Sequence, residues 1–161
     1  MSRIDSIIDD VLKREGPPTN DPTDTGGRTA FGISEKANPA AWADGKVTEA
    51  EARAIYERKY VDFPGFRGVE DKHLQAQLID FGVHSGPAIA IMNLQAILKV
   101  TVDGVLGPKT LEALQKALPF EDVNNHLVAA RIRLIGRIVS KNPSQVKFLN
   151  GWLDRSLQFL E

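Results

Sequence analysis

The chain has 161 residues, 42% of them hydrophobic, which suffices for one globular domain with a sizeable core. Its 20 basic and 21 acidic side chains nearly cancel and form no long run of one sign, so neither a nucleic-acid partner nor a membrane partner is expected. The absence of cysteine excludes a disulfide framework, a thiolate metal site and a cysteine nucleophile.

The first predicted element is an amphipathic helix that ends near Gly16. Its apolar residues recur at helical spacing and therefore share one face: Ile4, Ile7, Ile8, Val11 and Leu12. Acidic residues interrupt the first ten positions, where a secretory signal would have a continuous apolar stretch. The sequence therefore favours a protein that is made and folded in a cytoplasm.

The next segment, residues 17–34, is rich in Pro, Gly, Asn, Asp and Thr, so any β structure is expected there. Helix signals dominate from Thr48 onward, where Thr48 and Glu51 form a predicted capping box. Apolar periodicity then predicts helices at about 72–85, 87–99, 108–118, 122–140 and 144–160. The expected fold is mainly α, a single compact domain with a small β-hairpin or turn region near residues 17–34.

Glu15 is the first candidate catalytic residue along the chain. It lies eleven positions after Ile4, so on a continuing helix the two side chains point within about 20° of each other. Partial burial and the negative end of the helix dipole both favour a protonated carboxyl group, as an acid that protonates a leaving glycosidic oxygen requires. The alternative is a solvated charge at a frayed helix end, which periodicity alone favours.

Asp24 follows nine positions later, within a run of turn-forming residues at 20–27. Such a run can fold back through Asx-type turns and hold a second carboxylate opposite the first. Asp21, in the same run, is interpreted as a turn cap because it precedes Pro22.

The motifs Glu15-Gly16, Asn20-Asp21-Pro22, Asp24, Gly26-Gly27, Thr29 and Gly32-Ile33 resemble the start of the phage endolysins of glycoside hydrolase family 108. The spacing of Glu, eight residues, then Asp is also similar to that of phage-type lysozymes. Further similar motifs are found at 48–60, 80–87, 101–110 and 148–155, so the resemblance extends from about residue 5 to residue 158. The chain departs from the family pattern at Pro17-Pro18 and at His84, where the family usually has Asn.

This resemblance implies a lysozyme-like α+β fold and cleavage of the β-1,4 bond between N-acetylmuramic acid and N-acetylglucosamine. It implies a hydrolase part at about 5–86 and a helical peptidoglycan-binding part at about 87–160, packed on the same core. Glu15, Asp24 and Thr29 are the implied catalytic residues. The alternatives are a turn cap for Asp24 and an ordinary β-branched strand residue for Thr29. The expected partner is the glycan strand of peptidoglycan, with no metal or organic cofactor. A monomer is expected, held in the cytoplasm of the host bacterium until it is released to the cell wall.

Asp80 and His84 lie on one face of a predicted helix, together with Ser85, and are predicted to bind substrate. A structural role is the alternative, since a lone histidine more often has one. The aromatic residues Trp42, Tyr56 and Tyr60 are interpreted as core.

Other activities remain open at this point. A chitinase-like glycosidase would use the same acid chemistry, and a wall-binding module could keep the fold without the reaction. An amidase is disfavoured because cysteine is absent and the three histidines lack a zinc-ligand spacing.

Overall fold

The computed structural model describes residues 2–16 and 28–161. Contacts between residues divide the chain into two compact units, residues 1–63 and 64–161. In the described part, the structure is mainly helical with one pair of short antiparallel strands, which confirms the predicted fold class. None of its helices is long and apolar enough to cross a membrane.

The first unit begins with helix α1, Arg3–Glu15, and its predicted apolar face is buried. A capping box at Ser2 and Asp5 fixes the start of the helix, because each side chain accepts a hydrogen bond from the backbone N–H of the other. Helix α1 packs against α2, Glu49–Glu57, and an ion pair between Arg53 and Asp9 joins the two helices.

The two strands, β1 at Thr29–Ala30 and β2 at Ile33–Ser34, form a minimal hairpin. They fall within the predicted β region, of which residues 17–27 lie outside the described part. A 3-10 helix at Pro39–Trp42 follows, and then the capping box of α2, where Thr48 and Glu51 pair as predicted.

The second unit, residues 64–161, lies entirely within the described part of the chain and contains five α-helices. Helix α3, Lys72–Ser85, supplies much of the core, since Leu74, Leu78, Ile79 and Phe81 are almost fully buried. Helices α4 and α6 pack against it, and α7 packs against α6. The remaining bounds are α4 Pro87–Leu98, α5 Pro108–Lys116, α6 Phe120–Lys141 and α7 Leu149–Leu157.

The predicted helices at 72–85, 87–99, 108–118 and 122–140 are confirmed to within two residues. The predicted helix at 144–160 is instead a 3-10 helix, Pro143–Phe148, followed by α7. The segment Pro143–Phe148 has the tighter 3-10 geometry because the N–H of Gln145 donates to the carbonyl oxygen of Asn142, three residues back. Apolar periodicity did not predict the π-type turn at Arg58–Asp62, which extends α2.

Candidate active site

Glu15 is the last residue of α1, and its side chain is half-buried. The helix stops at Gly16, whose φ of +81° is left-handed and whose N–H donates to Leu12 O at 3.2 Å. The apolar face of α1 is anchored in the core of the first unit, so the carboxyl group is held at the edge of that core.

The hairpin turn lies directly against Glu15. A methyl group placed on Gly32 would be 3.2 Å from Oε2 of Glu15 and 3.4 Å from its Cβ. Phe31 and Gly32 have φ values of +52° and +74°, as the two central residues of a type I′ turn require. The turn therefore presents its backbone to the carboxylate with no side chain between them at Gly32.

Tyr56 also supports this turn. Its hydroxyl donates to Phe31 O at 2.9 Å, and a methyl group on Gly32 would lie 2.6 Å from that hydroxyl. Tyr56 is 4% exposed and its ring stacks on Tyr60 with 5.5 Å between centroids. The interpretation of Tyr56 as core is correct in burial, but its hydroxyl also positions the backbone beside Glu15, which sequence spacing did not indicate.

Thr29 begins β1 and pairs with Ser34 across the hairpin. It is half-buried, three positions before Gly32. Asp21 and Asp24 lie outside the described residues. The structure thus brings the Gly32 turn against Glu15, while the predicted pairing of Glu15 with Asp24 stays a prediction.

A cavity of about 320 Å³ lies in the same unit, a volume that suits a small ligand. Gly16 and Phe31, the neighbours of Glu15 and Gly32 in the chain, form part of its lining. The other lining residues are Asp9, Leu12, Lys13 and Glu49. Across residues 2–16 and 28–161, the acidic and histidine side chains form no cluster that could hold a metal ion.

Asp80 belongs to the second unit and is fully buried on α3. Arg131 donates to its Oδ2 at 2.7 Å, and Arg155 Nη2 donates to its Oδ1 at 2.9 Å. Burial by itself would raise the pKa of Asp80, but the hydrogen bonds and positive charges of the two arginines outweigh it and leave the pKa below its ordinary value. The carboxylate is enclosed by these partners, which favours a structural role over direct contact with a glycan.

His84 lies one helical turn after Asp80 and is half-buried. Its ring meets Trp152 edge-on, with 5.5 Å between centroids, and its Nδ1 is 3.5 Å from Arg131 Nη2. Burial, and then the charges of Arg131 and Arg155, lower the pKa of His84 to about 4. At neutral pH it is therefore an uncharged ring beside a buried ion cluster. The arginine partners come from α6 and α7, so no local motif could have predicted them.

Comparison with known proteins identifies the family of the chain. Residues 8–86 match the model of the family described as Glycosyl hydrolase 108, and residues 89–157 match that of a Predicted Peptidoglycan domain. The solved structure of Brucella abortus SagA is 30% identical, with a TM-score of 0.76, and the match covers 97% of this chain and 90% of that one. None of the curated proteins compared matches the chain. The chain thus belongs to glycosyl hydrolase family 108 and is a glycoside hydrolase that acts on peptidoglycan.

Proposed function

We propose that this protein is an N-acetylmuramidase that cleaves the β-1,4 bond between N-acetylmuramic acid and N-acetylglucosamine, with Glu15 as the acid. The observation that carries the proposal is the position of Glu15, half-buried at the end of α1 and packed against the glycine of a tight turn. A carboxyl group in such a position can protonate the leaving oxygen as the glycosidic bond breaks.

The hairpin gives this acid a defined environment. Tyr56 holds the Phe31 carbonyl, and the absence of a side chain at Gly32 lets the carboxyl group approach the turn closely. Thr29 is proposed to orient the attacking water, and Asp24 to activate that water or stabilise the developing positive charge. Protonation, water activation and charge stabilisation would then all come from side chains of the first unit.

The bond that is cut can be identified from the products. Purified sacculi treated with the protein should release new reducing sugar ends and no new amino groups. The Glu15→Gln variant keeps the shape of the side chain but cannot donate a proton to the leaving oxygen, so its lysis of permeabilised cells should fall to background while its circular dichroism is unchanged. Glu57→Gln, a change to another half-buried carboxylate of the same unit, is the control and should keep wild-type turnover. Severed peptides on intact glycan strands, or full lysis by Glu15→Gln, would refute the proposal.

We also propose that the protein serves a phage as an endolysin, stored in the host cytoplasm until the membrane is opened. Cells that express it should then stay turbid until a membrane-permeabilising agent is added, and lyse promptly afterwards. Expression of Glu15→Gln should give no lysis after the same treatment. Lysis that begins with expression, before permeabilisation, would argue against cytoplasmic storage.

A further inference from the structure

A second cavity, of about 500 Å³, lies in the second unit between the end of α4 and the start of α5. Its size is in the range of small-ligand sites, and it is separate from the residues assigned to bond cleavage. The described residues that line it are Lys99, Val100, Thr101, Asp103, Lys109 and Thr110.

The walls of this cavity are built by a buried network centred on Gln95, which is 1% exposed. Its Oε1 accepts from the N–H groups of Asp103 and Gly104 at 3.0 and 2.9 Å. Its Nε2 donates to Asp103 Oδ1 at 2.7 Å and to Thr110 Oγ1 at 3.2 Å. One amide therefore fixes the loop and the first turn of α5 relative to α4, so the cavity exists before any ligand binds.

The charges at the cavity are unbalanced. Lys99 and Lys109 are exposed, and neither has an ion-pair partner within the described ranges. Asp103 contributes one carboxylate, but its Oδ1 already accepts from Gln95 and from Val105 N–H. Two ammonium groups against one engaged carboxylate leave a net positive charge for an anionic ligand.

A buried hydroxyl in the lining of the cavity indicates a ligand. Thr110 is 4% exposed, and its hydroxyl, which accepts from Gln95, donates to no acceptor in the described part of the chain. It can therefore donate to a group in the cavity. Lys99 has a φ of +57°, a left-handed conformation in which Gly or Asn is favoured at a helix end. Glycine would fit this backbone better than lysine does.

We infer that this cavity binds a carboxylate of the peptidoglycan stem peptide through Lys99 and Lys109. The inference rests on the proposed action on peptidoglycan and assigns a contact to its peptide rather than its sugars. The acetylated sugars are neutral and pack well on aromatic rings, and none of the six described lining residues is aromatic. Stem peptides carry free carboxylates, which two lysine ammonium groups can pair with.

The inference is tested by titrating the full chain with a synthetic stem tetrapeptide. Binding is measured by NMR chemical shifts and by calorimetry. The same peptide with its carboxylates amidated should not bind. The Lys99→Gln/Lys109→Gln variant should bind the free peptide roughly tenfold more weakly, because two charge-assisted contacts are lost at a partly exposed site. Salt should weaken binding by the wild type more than by the variant.

The matched control is Lys72→Gln/Lys141→Gln, which removes two exposed lysines from the same unit and leaves the same net charge. It should bind the peptide as the wild type does. Lys99→Gly relieves the left-handed backbone, so it should melt no lower than the wild type and still bind more weakly. Equal binding of the free and amidated peptides, or equal weakening by both double variants, would overturn the inference.

Inorganic phosphate is titrated as a second probe. It distinguishes a site for carboxylates of the wall peptide from a site for a phosphate-bearing wall polymer. Binding of phosphate without binding of the peptide would also overturn the assignment. The release of reducing ends from sacculi by the wild type is measured in parallel with peptide binding. Its loss would refute the proposed glycosidic activity, whereas failure of peptide binding alone would refute only the carboxylate site.

Discussion

Gly32→Ala is the substitution that tests most directly how Glu15 is positioned. Alanine at a φ of +74° costs about 1–2 kcal/mol in backbone strain. Its methyl group would also lie 2.6 Å from the Tyr56 hydroxyl, too close to be accommodated without movement. Because Tyr56 is buried, such a movement breaks its bond to Phe31 O and adds about 1–3 kcal/mol. We expect a total loss of about 2 kcal/mol or more, which corresponds to a fall in Tm of roughly 4 °C or more.

The assay combines thermal melts with turnover on permeabilised cells. Gly45→Ala is the control, because Gly45 has a similar φ of +85° while a methyl group there would be 3.5 Å from Arg28 Nη1, an ordinary contact. It should lose only the strain energy and keep its activity, whereas Gly32→Ala should lose both stability and turnover. Adding Tyr56→Phe to Gly32→Ala should recover part of the lost stability, because the hydroxyl group that the methyl group contacts is then absent. Equal destabilisation by the two alanines, with full turnover in both, would show that the contact between the turn and Glu15 is unimportant.

Three further predictions concern the other assigned residues. Asp80→Asn should destabilise the protein by about 3–5 kcal/mol in urea unfolding, because the buried charge of Arg131 loses its partner. The control, Asp154→Asn on the exposed side of α7, should change stability by less than about 0.5 kcal/mol. The unfolded state binds a proton at His84 below about pH 6.5, whereas the folded state binds it only near pH 4. The free energy of unfolding should therefore fall as the pH drops from 6.5 to 4, and His84→Gln should flatten this dependence. Asp24→Asn should lower turnover far more than binding to sacculi, and a loss of thermal stability with turnover intact would make Asp24 a turn cap.

Local signals in the sequence predicted the helical framework well. The apolar face of α1 and the capping box at Thr48 and Glu51 both depend on residues within two turns of each other, and both are present. Proline occupies the first turn of both α4 and α5, a local signal of the same kind. Interactions of this kind need no knowledge of the rest of the fold.

The surroundings of the candidate site depend on longer separations. Tyr56 lies 25 residues from Phe31, and nothing in its own helix indicates that its hydroxyl supports a turn. The shared face of Asp80 and His84 predicted a substrate-binding role, but the two arginines that enclose Asp80 lie 51 and 75 residues later. A spacing of four residues identifies a common face and leaves open what covers that face.

The pairing of Asp80 with Arg155 has a consequence for the order in which the second unit is completed. The carboxylate of α3 is neutralised by helices that are synthesised later, because Arg131 and Arg155 follow Asp80 by 51 and 75 residues. During translation, Asp80 must therefore remain hydrated until α6 and then α7 have left the ribosome, since an unpaired buried charge is strongly unfavourable. A nascent chain arrested before residue 149 should accordingly resist proteases less than one that includes α7, although most of its apolar core residues have already been made.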